Sequence, residues 1–237
     1  MIIAVDGPAG AGKSTIARSV AARLGLTYLD TGAMYRTVTL LALEQAVPLE
    51  DGPALGRLAE RLDLSFGRGA AGAGGEPTVS VDGRDVTDVI RSPEVSAAVS
   101  QVSAHHEVRR ALTAEQQRLA TRGGMVLEGR DIGTVVCPAA EVKVFLTASV
   151  EERARRRQQQ LGTQGVHQDL DALSEDLARR DLYDAARAVA PLRKAEDAVE
   201  VDTTHLTIAE VVDVIAALAG RRMPRPGKGG DGNESSC

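Results

Sequence analysis

Aromatic residues are scarce in this sequence, which contains no tryptophan, three tyrosines and two phenylalanines among 237 residues. Because 43% of the residues are nevertheless hydrophobic, the chain can bury a sizeable core, and that core must be aliphatic. The two cysteines, Cys137 and Cys237, form no spacing pattern. Their arrangement therefore indicates neither a disulfide framework nor a cysteine-based zinc site.

Long apolar runs and basic stretches are missing as well. No run approaches the roughly 18 residues that a membrane-spanning helix requires, and no basic region precedes an apolar one near residue 1. The formal net charge of −5 does not suggest a general binder of nucleic acid or membrane surfaces. We therefore expect a monomeric cytoplasmic protein whose partners are small molecules, with neither nucleic acid nor membrane among them.

Lysine is rare too, with 4 residues against 24 arginines. The planar guanidinium of arginine binds phosphate and carboxylate in a bidentate manner, but the same bias can follow from genome composition. Both explanations stay open, so only arginines at particular positions support an argument about function.

Five short apolar runs have the pattern of buried parallel strands, at 2–6, 27–30, 125–128, 142–146 and 199–202. Helical patterns lie between and around them, at about 13–24, 34–46, 53–62, 93–121 with a break near His105, 149–162, 169–183 and 207–219. Strands that alternate with helices predict an α/β fold with a five-stranded parallel sheet flanked by helices.

Two segments depart from this alternation. Residues 62–92 contain strand-like runs around an Asp82-Gly83 turn, together with a glycine- and alanine-rich tract at 67–77 that we expect to be a flexible loop. We interpret 62–92 as a small insertion lobe with antiparallel strands. Residues 221–237 are rich in proline, glycine and polar side chains, which predicts a disordered tail.

The stretch "GPAGAGKST" carries the strongest functional signal. Gly7 to Ser14 fits the pattern G-x-x-x-x-G-K-[ST], and it lies between a predicted strand and a predicted helix, as a phosphate-binding loop requires. Glycines allow the backbone N–H groups to approach phosphate oxygens, and the N-terminus of the helix adds a positive dipole end. Lys13 is then expected to face the β- and γ-phosphates, and the hydroxyl of Ser14 to bind Mg²⁺.

The kind of nucleotide protein follows partly by elimination. A GTPase needs an N-K-x-D base reader, yet the single asparagine of the chain is Asn233. No long apolar strand ending in an acid marks an ABC-type or helicase-type ATPase. A small kinase remains, and it needs a second anion site for the phosphoryl acceptor.

Several charged residues follow predicted strands or share a helical face, and can supply that second site. Each of these residues alone is better explained by a solvated surface position or an i,i+4 ion pair. Taken together they favour a binding site, because ligands of open α/β sheets bind at the carboxyl ends of strands. The candidates are Arg36, Arg130, Asp131, Arg180, Asp184 and Arg187.

Four motifs resemble those of the bacterial cytidylate kinases, in the same order along residues 1–220. They are "GPAGAGKST", "YLDTGAMYR", "EGRDIGTVV" and "RAVAPLRKAEDAVEVDTT". The resemblance implies a P-loop kinase core at 1–30 and 110–220, a monophosphate-binding region at 31–109 that includes the insertion lobe, and a helical lid at about 151–168. It also implies the transfer of a phosphoryl group from ATP to CMP, with dCMP expected as a second acceptor, and Mg²⁺ as cofactor.

The resemblance further assigns roles to individual residues. It implies ATP on Gly7, Pro8, Ala9, Gly10, Ala11, Gly12, Lys13, Ser14 and Thr15. It implies that Ser100, Arg109 and Asp131 bind the cytosine. The acceptor phosphate is then bound by Arg36 and Arg130, with Arg187 nearby, and the ribose is bound by Arg180 and Asp184. Arg153 and Arg157 in the lid become candidate catalytic residues beside Lys13, Arg130 and Asp131, and Thr31 occupies a substrate-binding position where relatives often have serine.

One position departs from the family pattern. Ala185 stands where many relatives have serine, so one polar contact to the substrate is in doubt. Two alternatives stay open: a P-loop kinase that acts on UMP or a small metabolite, and a module that binds ATP and CMP without transferring a phosphoryl group.

Overall fold

The computed structural model describes residues 1–67, 77–163 and 165–222. The five predicted runs form one parallel sheet in the order β2-β6-β1-β7-β8. Its strands are β1 (Ile2–Asp6), β2 (Thr27–Asp30), β6 (Met125–Gly129), β7 (Val142–Thr147) and β8 (Val199–Asp202). The prediction of a five-stranded parallel sheet is therefore confirmed.

Eight α-helices flank this sheet or cover the region beside it in the described part of the chain. They are α1 (Lys13–Leu24), α2 (Thr31–Glu44), α3 (Gly52–Glu60), α4 (Pro93–Val102), α5 (His106–Ala120), α6 (Val150–Thr163), α7 (Leu170–Ala185) and α8 (Ile208–Arg222). A single turn of π-helix at Ile132–Val136 follows β6, and the sequence analysis did not predict it.

Helix boundaries differ from the predictions where side chains cap the helices. Helix α2 begins at Thr31 rather than at residue 34, because the Asp30 carboxylate accepts a hydrogen bond from the backbone N–H of Ala33 at 2.9 Å. The predicted break near His105 is present between α4 and α5. Helix α8 continues to Arg222, and the rest of the predicted tail lies outside the described residues.

A second, antiparallel sheet consists of β3 (Leu64–Gly67), β4 (Thr78–Val81) and β5 (Arg84–Asp85). Asp82 and Gly83 have φ of 49° and 75°, the two positive values that a type I′ hairpin turn requires. The small antiparallel lobe is thus confirmed, whereas most of the predicted flexible loop at 67–77 lies outside the described residues. The division of the chain into core, acceptor region and lid stays a prediction.

The core is aliphatic, as the composition predicts. Ile3 and Val5 of β1 pack with Val20 of α1 and Ile215 of α8, all fully buried. Beside the sheet, a separate apolar cluster fills the space between α2, α3, α4 and α5. No helix in the ranges that the structure describes is both long enough and apolar enough to cross a bilayer.

Candidate active site

Three glycines shape the loop between β1 and α1. Gly7, Gly10 and Gly12 have φ of 145°, 78° and 83°, values that side chains with a Cβ rarely adopt. A Cβ on Gly7 would also lie 2.1 Å from the carbonyl oxygen of Leu146. The loop therefore requires glycine both for its backbone conformation and for its close approach to β7.

Lys13 is the first residue of α1 and is buried, with its Nζ donating a hydrogen bond to the carbonyl of Pro8 at 2.7 Å. Burial and the positive charge of Arg130 hold the pKa of Lys13 well below its usual value. Ser14 is exposed at the same helix end. The carboxylates of Glu128 and Asp6 oppose this decrease of the Lys13 pKa.

A cavity of about 1070 Å³ begins at this loop and runs across the edge of the sheet. Most of the candidate site residues line it: Ala9, Gly10, Gly12, Lys13, Ser14, Thr15, Thr31, Arg36, Arg109, Arg130, Asp131, Arg157, Arg180, Asp184 and Arg187. Gly7, Pro8, Ala11, Ser100 and Arg153 do not belong to its lining. The structure thus brings the loop candidates and the acceptor candidates into one space.

Four of the predicted arginines, Arg36, Arg130, Arg180 and Arg187, lie near one another in the cavity lining, and the charges of Arg130 and Arg180 also act on Lys13. Asp184 is buried and accepts hydrogen bonds from Nε of Arg130, at 3.0 Å, and from Nη2 of Arg187. Arg36 donates to Asp30 at 2.7 Å. Positive charge therefore exceeds the negative charge of Asp30 and Asp184, as a site for an anion requires.

Arg180 is the arginine of this group that is affected most by its surroundings. Burial, with the charges of Arg130 and Arg36, lowers the pKa of Arg180 to about 10, although Asp184 opposes the change. Among the described residues, the Nε atoms of Arg36, Arg180 and Arg187 are buried without a hydrogen-bond partner. These arginines therefore retain donor capacity that the described protein groups do not use, and arginine donors are suited to phosphate oxygens.

The cavity wall also contains the ion pair between Arg109 on α5 and Asp131 after β6. Nη2 of Arg109 lies 2.5 Å from Oδ2 of Asp131, and the two side chains are 4% and 6% exposed. Arg109 also donates to the carbonyl of Ser103 at 3.2 Å and lies 5.3 Å from the centre of the Tyr35 ring. The pair is therefore held rigidly at the cavity wall.

Glu128, the residue before the "GRD" stretch, is a site residue that the sequence analysis missed. Its Oε1 accepts a hydrogen bond from the hydroxyl of Tyr28 at 2.5 Å, whereas Oε2 is buried without a partner among the described residues. Burial and the charge of Asp30 raise the pKa of Glu128, and the neighbouring Lys13 opposes this. Its place at the carboxyl end of a central strand was a signal for this role.

The two lid candidates on α6 point in different directions. Arg157 lines the cavity, and the pKa of Arg157 is lowered by burial and by the charge of Arg36. Arg153 is 3% exposed and donates instead to the carbonyl of Ala9 at 3.1 Å and to Asp181 at 2.6 Å. In this conformation Arg153 links α6 to the phosphate loop and to α7, and it does not line the cavity.

Ser100 also differs from the expectation. Along the segment from α4 to its C-terminal cap, Ser96, Val99 and Ser103 line the cavity, whereas Ser100 does not. A role of Ser100 at the cytosine therefore has no support from the cavity wall.

The cavity also extends past the phosphate loop, between α6 and the segment after β8. Arg156 donates to Glu152 at 3.0 Å, and to the side chain and carbonyl of Thr203 at 3.0 and 2.6 Å. Leu206, Thr207, Ile208 and Val211 complete this part of the lining. Leu206, Thr207, Ile208 and Val211 belong to no phosphate-binding motif, so they could not be selected from the sequence.

Comparisons with known proteins agree with this arrangement. The family model described as "Cytidylate kinase" matches residues 3–221. The cytidylate kinase of Exiguobacterium sibiricum is 53% identical over 92% of this chain and 96% of its own length, and that of Geobacillus sp. (strain WCH70) is 51% identical over 93% and 97%. A solved structure of an uncharacterized protein from Eubacterium ventriosum, 11% identical, has a TM-score of 0.50 over 93% of this chain and 98% of that chain, a likeness of fold alone. The chain therefore belongs to the cytidylate kinase family.

Proposed function

We propose that this protein transfers the γ-phosphoryl group of ATP to CMP, and also to dCMP, and releases ADP with the nucleoside diphosphate. The observation that carries this proposal is the single cavity that joins a phosphate-binding loop to a buried arginine cluster. Phosphoryl transfer depends on positioning and charge stabilisation, and such a cavity supplies both.

ATP is proposed to bind at the loop end. The backbone N–H groups of residues 9–15 and the N-terminus of α1 face its phosphates, and Lys13 then moves its hydrogen bond from Pro8 to a phosphate oxygen. The adenine is assigned to the space between Arg156 and the residues that follow Thr203, because this is where the cavity continues beyond the loop.

CMP is proposed to bind at the arginine end. Arg36 and Arg130 hold its phosphate with Arg187 nearby, and Arg180 with Asp184 holds the ribose. The cytosine presents an amino donor at N4 and acceptors at N3 and O2. Asp131 accepts from N4 and Arg109 donates to N3 and O2, which the rigid ion pair between them supports.

The reaction is an in-line displacement. An oxygen of the CMP phosphate attacks the γ-phosphorus, the bond from that phosphorus to the β–γ bridging oxygen breaks, and ADP leaves. Lys13 and the cavity-facing arginines, Arg157 of α6 included, stabilise the charge of the transferring group. Exclusion of water by α6 keeps ATP from being hydrolysed while the acceptor is absent.

The chemistry of the residues beside Lys13 fits a magnesium ion. Ser14 offers an exposed hydroxyl, and Glu128 offers a buried carboxylate oxygen without a partner among the described residues. Hard oxygen ligands in small number, completed by phosphate oxygens and water, are what Mg²⁺ prefers. When bound there, Mg²⁺ would neutralise charge on the triphosphate, with Ser14 as a direct ligand and Glu128 as a proposed partner for its water molecules.

An assay of ADP release tests the proposal and separates it from its alternatives. ADP formation is measured with ATP alone and then with AMP, GMP, UMP, CMP or dCMP added. We expect rapid ADP release with CMP and dCMP, and little with ATP alone. Equal rates with UMP would favour the broader pyrimidine kinase, whereas binding of ATP and CMP without ADP release would favour the sensing module.

A further inference from the structure

Asp6, the last residue of β1, is a buried carboxylate to which neither the sequence analysis nor the proposed mechanism assigns a role. Its side chain accepts two backbone hydrogen bonds, from Ile132 N–H to Oδ1 at 2.8 Å and from Gly133 N–H to Oδ2 at 2.7 Å. Asp6 also directly precedes Gly7, the first glycine of the phosphate loop. The residue therefore connects the loop at the ATP end with the segment after β6.

The two N–H groups that Asp6 binds are those that immediately follow Asp131 in the chain. The carbonyl of Asp131 accepts hydrogen bonds from the N–H groups of Val135 and Val136, at 2.9 and 3.2 Å, and these close the turn of π-helix. Asp6 thus fixes the peptide groups on the carboxyl side of Asp131, while Arg109 holds the side chain of Asp131. The position of the Asp131 carboxylate depends on both contacts.

We infer that Asp6 is a positioning residue for the acceptor base, which acts by holding the backbone beside Asp131 in register with the phosphate loop. This inference rests on the proposed contact between Asp131 and the cytosine. A carboxylate is suited to the task because its two oxygens each accept one of two consecutive N–H groups. An asparagine in the same place could accept one of them, and would turn its own N–H₂ group towards the other.

The raised pKa of Asp6 shows that its buried carboxylate is not held there merely as a favourable polar group. Burial and the charge of Asp131 raise the pKa of Asp6 to about 6, although the two N–H groups and Lys13 oppose this. Lys143 also lies close, since a Cβ on Gly133 would be 3.2 Å from its Cδ and 3.3 Å from Oδ2 of Asp6. The carboxylate is therefore kept at a position where its charge is disfavoured by its surroundings.

The test is the variant Asp6→Asn, assayed with CMP and with UMP. We expect kcat/KM for CMP and the ratio of CMP to UMP efficiency each to fall by about tenfold, because one buried N–H loses its acceptor. The KM for ATP should change by less than about twofold. Asp213→Asn is the matched control: it removes an exposed carboxylate that pairs with Arg23, outside the cavity, and should leave the ratio unchanged.

A double-mutant cycle with Asp131→Asn shows whether Asp6 acts through Asp131. If it does, adding Asp6→Asn to Asp131→Asn lowers the ratio no further. An additive loss, or an Asp6→Asn protein that loses stability and kcat with both nucleotides equally, would overturn the inference. A ratio that Asp131→Asn alone leaves unchanged would instead contradict the proposed base contact, and the inference with it.

A second variant covers the case in which Asp6→Asn does not fold. Gly133→Ala places a methyl group 3.2 Å from Cδ of Lys143 and 3.3 Å from Oδ2 of Asp6 without touching the phosphate loop, so it crowds the same contact from the other side. We expect a smaller fall of the CMP to UMP ratio, by about threefold. An unchanged ratio in the folded Gly133→Ala protein would refute the inference.

Discussion

Base choice is the property for which the structure makes the sharpest prediction. In the proposed complex with CMP, Asp131 accepts from N4 and Arg109 donates to N3 and O2, whereas UMP presents an acceptor at O4 and a donor at N3. Each mismatch leaves a buried polar group unpaired, at a cost of about 1–3 kcal/mol or more when the group is charged. The kcat/KM for CMP should therefore exceed that for UMP by at least about a hundredfold.

The perturbation is Asp131→Asn, which keeps the size of the side chain and removes its charge. Hydrogen bonds to charged groups contribute about 1.5–3 kcal/mol, so kcat/KM for CMP should fall by about ten- to a hundredfold. The amide of the new side chain can donate to O4 of uracil, so UMP should lose less than about threefold, or gain. Because Arg109 keeps Ser103 and Tyr35 as neighbours, the protein should still fold.

The assay is ADP release at saturating ATP, with CMP and UMP each varied. The matched control is Glu60→Gln, which removes a carboxylate from the exposed ion pair with Arg110, the neighbour of Arg109. This control should leave both efficiencies unchanged. Equal use of CMP and UMP by the wild-type protein, or an Asp131→Asn protein with an intact preference, would refute the account of the base site.

Three further outcomes are expected. Lys13→Met should retain the fold and lower kcat by at least about a hundredfold, because it removes one positive charge that stabilises the transferring phosphoryl group. Circular dichroism checks the fold and ADP release checks the rate. A wild-type kcat in this variant would contradict the assignment of the phosphate loop. Arg153→Ala should raise the KM for ATP by about tenfold and lower Tm by several degrees, because it breaks the hydrogen bonds of Arg153 to Ala9 and Asp181. Arg155→Ala is the control and should change neither quantity, because the side chain of Arg155 is 62% exposed. Since the pKa of Asp6 is about 6 in the folded protein against 3.8 as its ordinary value, folding favours its protonated form. The unfolding free energy of the wild type relative to Asp6→Asn should therefore rise by about 2 kcal/mol from pH 7 to pH 4.5 in urea denaturation, and a flat difference would contradict the raised pKa.

The sheet and the phosphate loop could be predicted because their signals are local. A short apolar run bounded by turn residues indicates a buried strand wherever it lies, and the loop pattern includes its own flanking strand and helix. The Asp82-Gly83 turn is of the same kind, since the positive φ of both residues is a property of that dipeptide. The conformation of these elements can therefore be predicted from a few neighbouring residues alone.

Other site features depend on contacts between distant parts of the chain. The π-helical turn after β6 is held by Asp6, which is more than 120 residues away along the sequence. Arg153 and Arg157 are one turn apart on α6, but the packing of α7 and the phosphate loop directs Arg153 away from the cavity. No periodicity within a single helix could distinguish the two arginines.

The role of Glu128 also depends on contacts with distant parts of the chain, so it could not be predicted from the sequence. A lone acid at the end of a short strand predicts little until its surroundings are known. Only the structure shows that Tyr28 satisfies one oxygen and that Lys13 lies beside it.

The positions of the tyrosines have a spectroscopic consequence. The chain lacks tryptophan, and two of its three tyrosines, Tyr28 and Tyr35, line the substrate cavity. Intrinsic fluorescence of the unmodified protein is therefore tyrosine emission, and two of its three sources lie in the cavity wall. Tyr28 lies beside Glu128 near the phosphate loop and Tyr35 lies beneath Arg109, so Tyr28→Phe and Tyr35→Phe proteins would report separately on the occupation of the two ends.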